Sequence, residues 1–312
     1  MSFITGKTRV LGVIGDPIEH TLSPVMQNAA LQSCGLDWVY LPFRVEPAAL
    51  GAAMAGLRAL GLVGINVTIP HKERVAEFLD ELDPLAGWLG AVNTVGWAGE
   101  RLRGWNTDGP GFLSSLREEI GQVPRGWRVV ILGAGGAARA IAGQLLLSGA
   151  SAITVVNRTL SRAEALVEWL ARGPRAPLLP VAPVGAGMDQ PVQGTNSPHL
   201  AALSLDDVPR VAGAVEAADL LVQASSYGMH PREESEPPVP AAALRPGLIV
   251  YDIVYRPEKT ALLAAARERG ARVIGGTSLL LHQGAESFRI WTGMEPPLNV
   301  MRRALRAALK ES

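Results

Sequence analysis

The 312 residues include a single cysteine, Cys34, so no disulfide can close within the chain and no cysteine-rich metal site can form. Histidine is also sparse: there are five, none in a His-x-x-His pair, and a structural zinc would lack ligands. Neither sign of charge is in excess. Basic and acidic side chains number 29 each, so the electrostatic footprint of a protein that grips nucleic acid or an anionic membrane is missing, and any anion site must be local. No apolar run approaches the ~20 residues needed to span a bilayer. The first ten residues hold Lys7 and Arg9 without an apolar centre, unlike a secretory signal. These absences predict a soluble, cytoplasmic protein with no metal, no nucleic-acid partner and no membrane contact.

What is present is apolar material in short, regularly spaced runs. The hydrophobic fraction is 48%, enough for sizeable cores, and the length suits two domains. Strand-like runs alternate with helical patterns, the signature of an α/β fold with mostly parallel sheets. Strands are expected at Val10–Ile14, Val39–Val45 and Gly64–Ile69, and helices at Pro24–Cys34, Ala48–Ala59 and Lys72–Leu79. Gly90–Trp97 with Arg101–Trp105 reads as a hairpin, followed by a helix over Gly109–Ile120. Gly173–His199, rich in proline and glycine, reads as a mobile insertion in which only Pro177–Val181 resembles a strand. It is placed after the third strand of the second domain. Order is expected to return with strands at Asp219–Ala224 and Leu248–Val254, a helix at Lys259–Arg269 and a strand at Arg272–Ile274. Ser278–Thr292 and Leu298–Leu309 read as closing helices.

The most informative stretch is Val129–Arg162. The apolar run Val129–Leu132 leads directly into Gly133-Ala134-Gly135-Gly136-Ala137-Ala138 and an Ala- and Leu-rich helix, and a second apolar strand then ends in Asn157-Arg158-Thr159. In a dinucleotide-binding unit the first glycine permits the tight turn and the second admits the pyrophosphate. A small third residue lets helix and strand pack closely, while the helix N-terminus faces the phosphates. About 20 residues on, an acid usually binds the ribose 2′-hydroxyl of NAD. Here the position is Asn157, with Arg158 and Arg162 beside it, and two guanidinium groups suit a 2′-phosphate. The cofactor indicated is NADP.

The first domain gathers polar residues at its strand ends, where open α/β sheets bind ligands. Thr21 and Ser23 precede a helix and could simply cap it, or could hold a carboxylate together with the helix N-terminus. Asn66 and Thr68 share one face of a strand, with Pro70-His71-Lys72 following. Asn93-Thr94 and Asn106-Thr107-Asp108 add amides and an acid. Five such clusters exceed what capping requires.

The motifs Gly15–Pro24, Asn66–Lys72, Gly90–Thr94, Asn106–Gly109, Gly133–Ala137, Asn157–Arg162, Tyr251–Tyr255 and Gly276–Gln283 closely resemble the shikimate dehydrogenase family, in family order and over nearly the whole chain. The resemblance implies an N-terminal α/β substrate domain at 1–110 and a Rossmann-type, doubly wound NADP-binding domain at 111–284, separated by a cleft. The C-terminal helix at about 285–312 would pack back on the first domain. It further implies reversible NADPH-dependent reduction of 3-dehydroshikimate to shikimate, in chorismate and aromatic amino-acid biosynthesis, by a monomer or homodimer. Carried over residue by residue, Thr21 and Ser23 would bind the substrate carboxylate. Asn66, Thr68, Lys72, Asn93, Asp108, Tyr255 and Gln283 would line the rest of the pocket, with Lys72 the acid/base paired to Asp108. Gly133, Ala134, Gly135, Gly136, Ala137, Asn157, Arg158, Thr159 and Arg162 would hold NADP, with Ile253 and Gly276 near the nicotinamide.

The chain departs from the family pattern at several places. Thr21 replaces a usual serine, Gln223 a frequent asparagine and Leu279 a frequent methionine, and the 173–199 insertion is longer than usual. Two alternatives stand beside the leading reading. One is a quinate/shikimate dehydrogenase using NAD, against which Asn157-Arg158-Thr159 argues. The other is a catalytically silent, metabolite-sensing relative, disfavoured because binding alone needs no proton donor such as Lys72.

Overall fold

The computed structural model describes residues 4–174, 198–229 and 238–310. Its Cα packing divides the chain into two units, Met1–Gly111 with Leu280–Ser312, and Phe112–Leu279. Among the described residues no helix is long and apolar enough to cross a membrane, and no group of three or more His, Cys, Asp or Glu could hold a metal.

The first unit is built on a mixed sheet. Its strands are β1 (Arg9–Gly15), β2 (Trp38–Arg44), β3 (Gly64–Val67), β4 (Glu81–Leu82), β5 (Thr94–Ala98) and β6 (Arg101–Trp105), in the order β2-β1-β3-β5-β6-β4. β1 pairs parallel with β2 and β3, whereas β3–β5 and β5–β6 are antiparallel. Helices α1 (Ser23–Ser33), α2 (Leu50–Ala59) and α3 (Pro84–Leu89) pack with it. Ile65 and Val67 of β3 join Leu50, Met54 and Leu57 of α2 in one core. Strand periodicity therefore turns Asn66 to the opposite face of the sheet.

Two expected elements of this unit are corrected. Lys72–Leu79 is not an α-helix but a turn and a short 3₁₀ segment at Arg74–Phe78. The Lys72 carbonyl accepts the Val92 N–H at 2.7 Å, so it is unavailable to a helical ladder. The strand expected from Gly90 starts only at Thr94: Gly90 is the cap of α3, and residues 91–93 form no regular element. Asp83 caps that helix by accepting the Leu85 N–H, Pro84 opens it, and Gly90 closes it at φ +65°.

The second unit is a fully parallel sheet of β7 (Arg128–Leu132), β8 (Ala152–Asn157), β9 (His199–Ser204), β10 (Leu220–Gln223), β11 (Ile249–Asp252) and β12 (Arg272–Ile274). The order β12-β11-β10-β7-β8-β9 is that of a doubly wound dinucleotide fold. Both faces are covered, so its central strands read as unbroken apolar runs. Val129, Ile131, Leu220, Val222 and Tyr251 enter one core, and Val130, Leu132, Leu221 and Val250 the other. Its helices include α5 (Gly136–Leu147), α6 (Leu160–Arg172), α7 (Val208–Glu216) and α8 (Ala261–Glu268). The unit boundaries fall within α4 (Asp108–Ile120) and α9 (Gly276–Thr292), and α10 (Leu298–Lys310) packs on α1 in the first unit.

β9 and α7 occupy residues expected to lie outside regular structure. β9 was obscured because its side chains are mostly half-buried, although Asp207 and Pro209 mark the start of α7. The proline- and glycine-rich stretch thus follows α6 and precedes the third strand of this sheet, not the reverse. Residues 175–197, with the strand expected at Pro177–Val181, lie outside the described residues.

Candidate active site

The substrate side begins at α1. The N-cap position is Leu22 and makes no side-chain cap, so neither hydroxyl fills the usual capping role. Thr21 Oγ1 instead accepts the Ser23 N–H at 3.3 Å. Ser23 is 8% exposed, and its hydroxyl lies against the buried Tyr40 hydroxyl, whose acidity is suppressed by burial.

Behind these hydroxyls runs a continuous polar network. Tyr40 donates to Asn66 Oδ1 at 2.7 Å. Asn66 Nδ2 donates to Asn93 O at 3.0 Å, Thr94 Oγ1 at 3.1 Å and Ser287 Oγ at 2.9 Å. Asn93 is fixed from both ends: its Oδ1 accepts the Thr107 backbone N–H at 2.8 Å, and its Nδ2 donates to Asp108 Oδ1 at 2.8 Å. The second oxygen of Asp108 accepts from Lys72 Nζ at 2.6 Å. The Lys72 side chain keeps 23% of its surface exposed and that of Asp108 10%, so the pair is partly sheltered but reachable.

The expected residues Asn66, Asn93, Lys72 and Asp108 are therefore joined by hydrogen bonds. Thr68 sits half-buried just beyond β3, and Gln283 lies on α9 with its Nε2 donating to Leu280 O. Tyr255 belongs to the second unit, as do Ile253 and Gly276. A Cβ on Gly111 would lie 2.6 Å from the Gln283 backbone nitrogen, so only glycine permits α4 and α9 to approach this closely. That contact sets Gln283 near the start of α4, which carries Asp108.

Three participants were not singled out from the sequence. His71 is buried with Nε2 2.6 Å from Val45 O, a contact that places the ring proton on Nε2 and pins the residue preceding Lys72. Tyr40 read only as strand material. Ser287 follows Gln283 by four residues, so the i, i+4 spacing on α9 was the available signal.

In the second unit, Gly133 adopts φ +112° with its N–H on Val156 O, a conformation that disfavours any side chain. Gly135 precedes α5 and Gly136 opens it. No neighbouring heavy atom lies within 4 Å of where a Cβ would stand on either, and the first turn of α5 carries no acid and no side-chain cap. Ala134 and Ala137 are half-exposed beside them, while Ala138 is fully buried against the core. Asn157 ends β8 and donates to Thr159 O at 2.9 Å. Arg158, Thr159 and Arg162 are exposed, and neither arginine forms an ion pair among the described residues. An open cradle at a helix N-terminus with two cations beside it fits a dinucleotide bearing a 2′-phosphate.

The segment after β11 is held from several sides. The Ile253 N–H reaches Gln223 O at 3.0 Å and the Gly276 N–H reaches Val254 O at 3.3 Å. Asp252, fully buried, accepts the Val254 N–H at 3.0 Å and the Thr260 hydroxyl at 2.7 Å, and burial pushes its carboxyl up to about 6. Burial likewise raises the Tyr255 hydroxyl, opposed by the Arg256 charge. Gln223 accepts the Ser225 N–H and donates to Tyr227 O, so at this departure from the family pattern its amide organises the following turn.

The chain is similar over nearly its whole length to known proteins. Residues 13–95 match the shikimate dehydrogenase substrate binding domain, residues 115–180 the shikimate/quinate 5-dehydrogenase model and residues 276–306 the shikimate 5′-dehydrogenase C-terminal domain. The shikimate dehydrogenase (NADP(+)) of Geobacter metallireducens is 47% identical over 307 residues, covering 98% of this chain and 99% of that protein. A crystal structure of a shikimate dehydrogenase in complex with NADP+ superimposes with TM-score 0.85 at 39% identity, covering 99% of this chain and 98% of the other. The Listeria monocytogenes shikimate 5-dehydrogenase, in complex with shikimate and NAD, gives TM-score 0.85 at 36% identity, with 98% and 99% covered. The chain belongs to the shikimate dehydrogenase family.

Proposed function

We propose that this chain catalyses the reversible NADPH-dependent reduction of 3-dehydroshikimate to shikimate, a step of chorismate and aromatic amino-acid biosynthesis. The observation that carries the reading is the Lys72–Asp108 pair, at 2.6 Å and itself oriented by Asn93. NADPH, when bound, supplies the hydride that reduces the substrate carbonyl. The Lys72 ammonium stands ready to give a proton to the oxygen as it gains negative charge, and in the reverse direction the amine takes that proton back. Asp108 holds the ammonium in place through the 2.6 Å ion pair. Thr21 and Ser23 offer hydroxyls to the substrate carboxylate at the start of α1, while Asn93, Thr68 and Gln283 contribute to the ring-binding wall.

The 112–279 unit is assigned the cofactor, with pyrophosphate at Gly133–Ala137 and the 2′-phosphate at Arg158 and Arg162. A turnover assay with shikimate and either NADP+ or NAD+ tests the reading. Activity with NADP+ is expected. A clear preference for NAD+ would instead identify a quinate/shikimate dehydrogenase, and binding without turnover would identify a silent relative.

A further inference from the structure

Asn66 faces the same way as the proposed substrate wall, yet its carboxamide is fully engaged inside the protein. Its two Nδ2 hydrogens meet three acceptors, Asn93 O, Thr94 Oγ1 and Ser287 Oγ, and its Oδ1 takes the Tyr40 hydroxyl. With 7% exposure it has no donor left for a ligand. The residue that closes this arrangement is Ser287. Its hydroxyl, fully buried, lies 2.9 Å from Asn66 Nδ2, 2.8 Å from Thr94 Oγ1 and 3.3 Å from Thr107 Oγ1, and it donates to the Gln283 carbonyl at 3.1 Å.

One hydroxyl thus ties the helix turn carrying Gln283 to β3, β5 and the segment leading into α4. We propose that Ser287 is a positioning residue for the substrate wall, locking the Asn66 amide and the Thr94 and Thr107 hydroxyls behind the groups that meet the substrate ring. The proposal rests on the shikimate-binding role given to this wall above.

A consistent proton count supports it. Asn66 has a protein donor fixing its oxygen, and the Thr107 backbone N–H and the Asp108 carboxylate fix both ends of Asn93. If Ser287 donates to Gln283 O, its two lone pairs accept from Asn66 and Thr94, and every hydrogen in the cluster finds an acceptor. Removing the hydroxyl leaves the Asn66 N–H the longer contact to Thr94 Oγ1 at 3.1 Å and turns the Thr94 proton to Asn93 Oδ1 at 3.1 Å, an oxygen already taken by Thr107, so the amide and both hydroxyls must re-aim in a site sealed from solvent. Asn93 belongs to the same network but keeps the Thr107 backbone N–H and its bond to Asp108 when the hydroxyl is lost, so the loss falls on substrate binding more than on proton transfer.

The test compares full-length wild type with S287A, measuring kcat, KM for shikimate, KM for NADP+ and the thermal midpoint. The expected result is a shikimate KM raised about 5- to 10-fold, with kcat and the NADP+ KM each within about 2-fold. S287C, which keeps volume but bonds weakly, should fall between the two, and supplies the same readout if S287A does not fold. A shikimate KM unchanged in the variants overturns the proposal. So does a parallel loss for both substrates, which would make the hydroxyl a stability element only. A wild type that does not turn over shikimate overturns the functional reading, and the proposal with it.

Discussion

Lys72 and Asp108 are joined through one carboxylate oxygen only: Nζ lies 2.6 Å from Oδ2, while Oδ1 takes Asn93 Nδ2 at 2.8 Å. The carboxylate is thereby prevented from rotating, and the ammonium it holds has a fixed direction. A general acid needs this more than it needs strength, because proton transfer requires the donor to sit within hydrogen-bond reach of the developing charge.

Replacing Lys72 with methionine keeps most of the side-chain volume and removes the proton donor. Turnover is expected to fall by about 10²–10⁴-fold, with far less change in shikimate affinity measured by direct binding. A variant with near-native kcat would remove Lys72 from the chemistry.

Arg158 and Arg162 should set cofactor choice. A guanidinium on a 2′-phosphate adds about 1.5–3 kcal/mol per charge-assisted hydrogen bond, so NADP should be preferred over NAD by roughly 10²-fold in kcat/KM even after solvent screening. Arg158→Ala should erode most of that preference by weakening NADP alone. Steady-state kinetics with both cofactors decide the matter, and equal loss for both would make the arginine structural.

Gly111 tests the seat of Gln283. An alanine methyl there would stand 2.6 Å from the Gln283 nitrogen, a backbone atom that cannot swing aside. Overpacking of this kind costs about 1–3 kcal/mol, and the displaced α9 should also raise the shikimate KM. Denaturant unfolding and kinetics on Gly111→Ala would show both; native stability with unchanged KM would mean the helices separate freely.

Asp252 predicts a pH dependence of stability. Its carboxyl, raised to about 6 by burial, binds a proton in the folded protein between about pH 4 and 6 where the unfolded chain has released it. The protonated form therefore supports the fold below about pH 4, and that support is lost as pH rises through about 6. Asp252→Asn keeps an acceptor for the Val254 N–H and has no charge to bury. Its stability relative to wild type should improve by up to about 3 kcal/mol between pH 4 and 7, followed by urea titrations across that range. A difference independent of pH would show that Asp252 is ionised at no cost.

Much of this was legible in advance because physics writes it locally. The Gly133–Ala138 turn, the apolar β7 and β10 and the cations after β8 are short-range patterns, and each lies where its period and turn chemistry placed it. The Asp83-Pro84 start and Gly90 stop of α3 were equally local but were outweighed by the apolar run that follows. β9 was different in kind: with one fully buried side chain, its existence depends on pairing with β8, which no window of its own sequence reveals. The network behind the site was hidden for the same reason. Ser287 reaches Asn66 across 221 positions, and Tyr40 reaches it across 26. Type and spacing identified the groups proposed to meet the substrate, whereas the groups that aim them were settled by tertiary packing.

The return of α9 and α10 has a consequence for how the protein is made. The first unit is discontinuous in sequence: Ser287 and Gln283 reach it only after the whole of residues 112–279 has been synthesised. During translation, Asn66 and Thr94 must wait with an incomplete set of partners while the dinucleotide-type unit emerges and folds. Holding that intervening stretch as a disordered loop would oppose closure by roughly 4–5 kcal/mol, an entropic cost that vanishes once the stretch has folded into a compact body. The two halves of the first unit can therefore meet only after the second has been made, and a nascent chain ending before α9 would carry Lys72 and Asp108 without the wall meant to stand behind them.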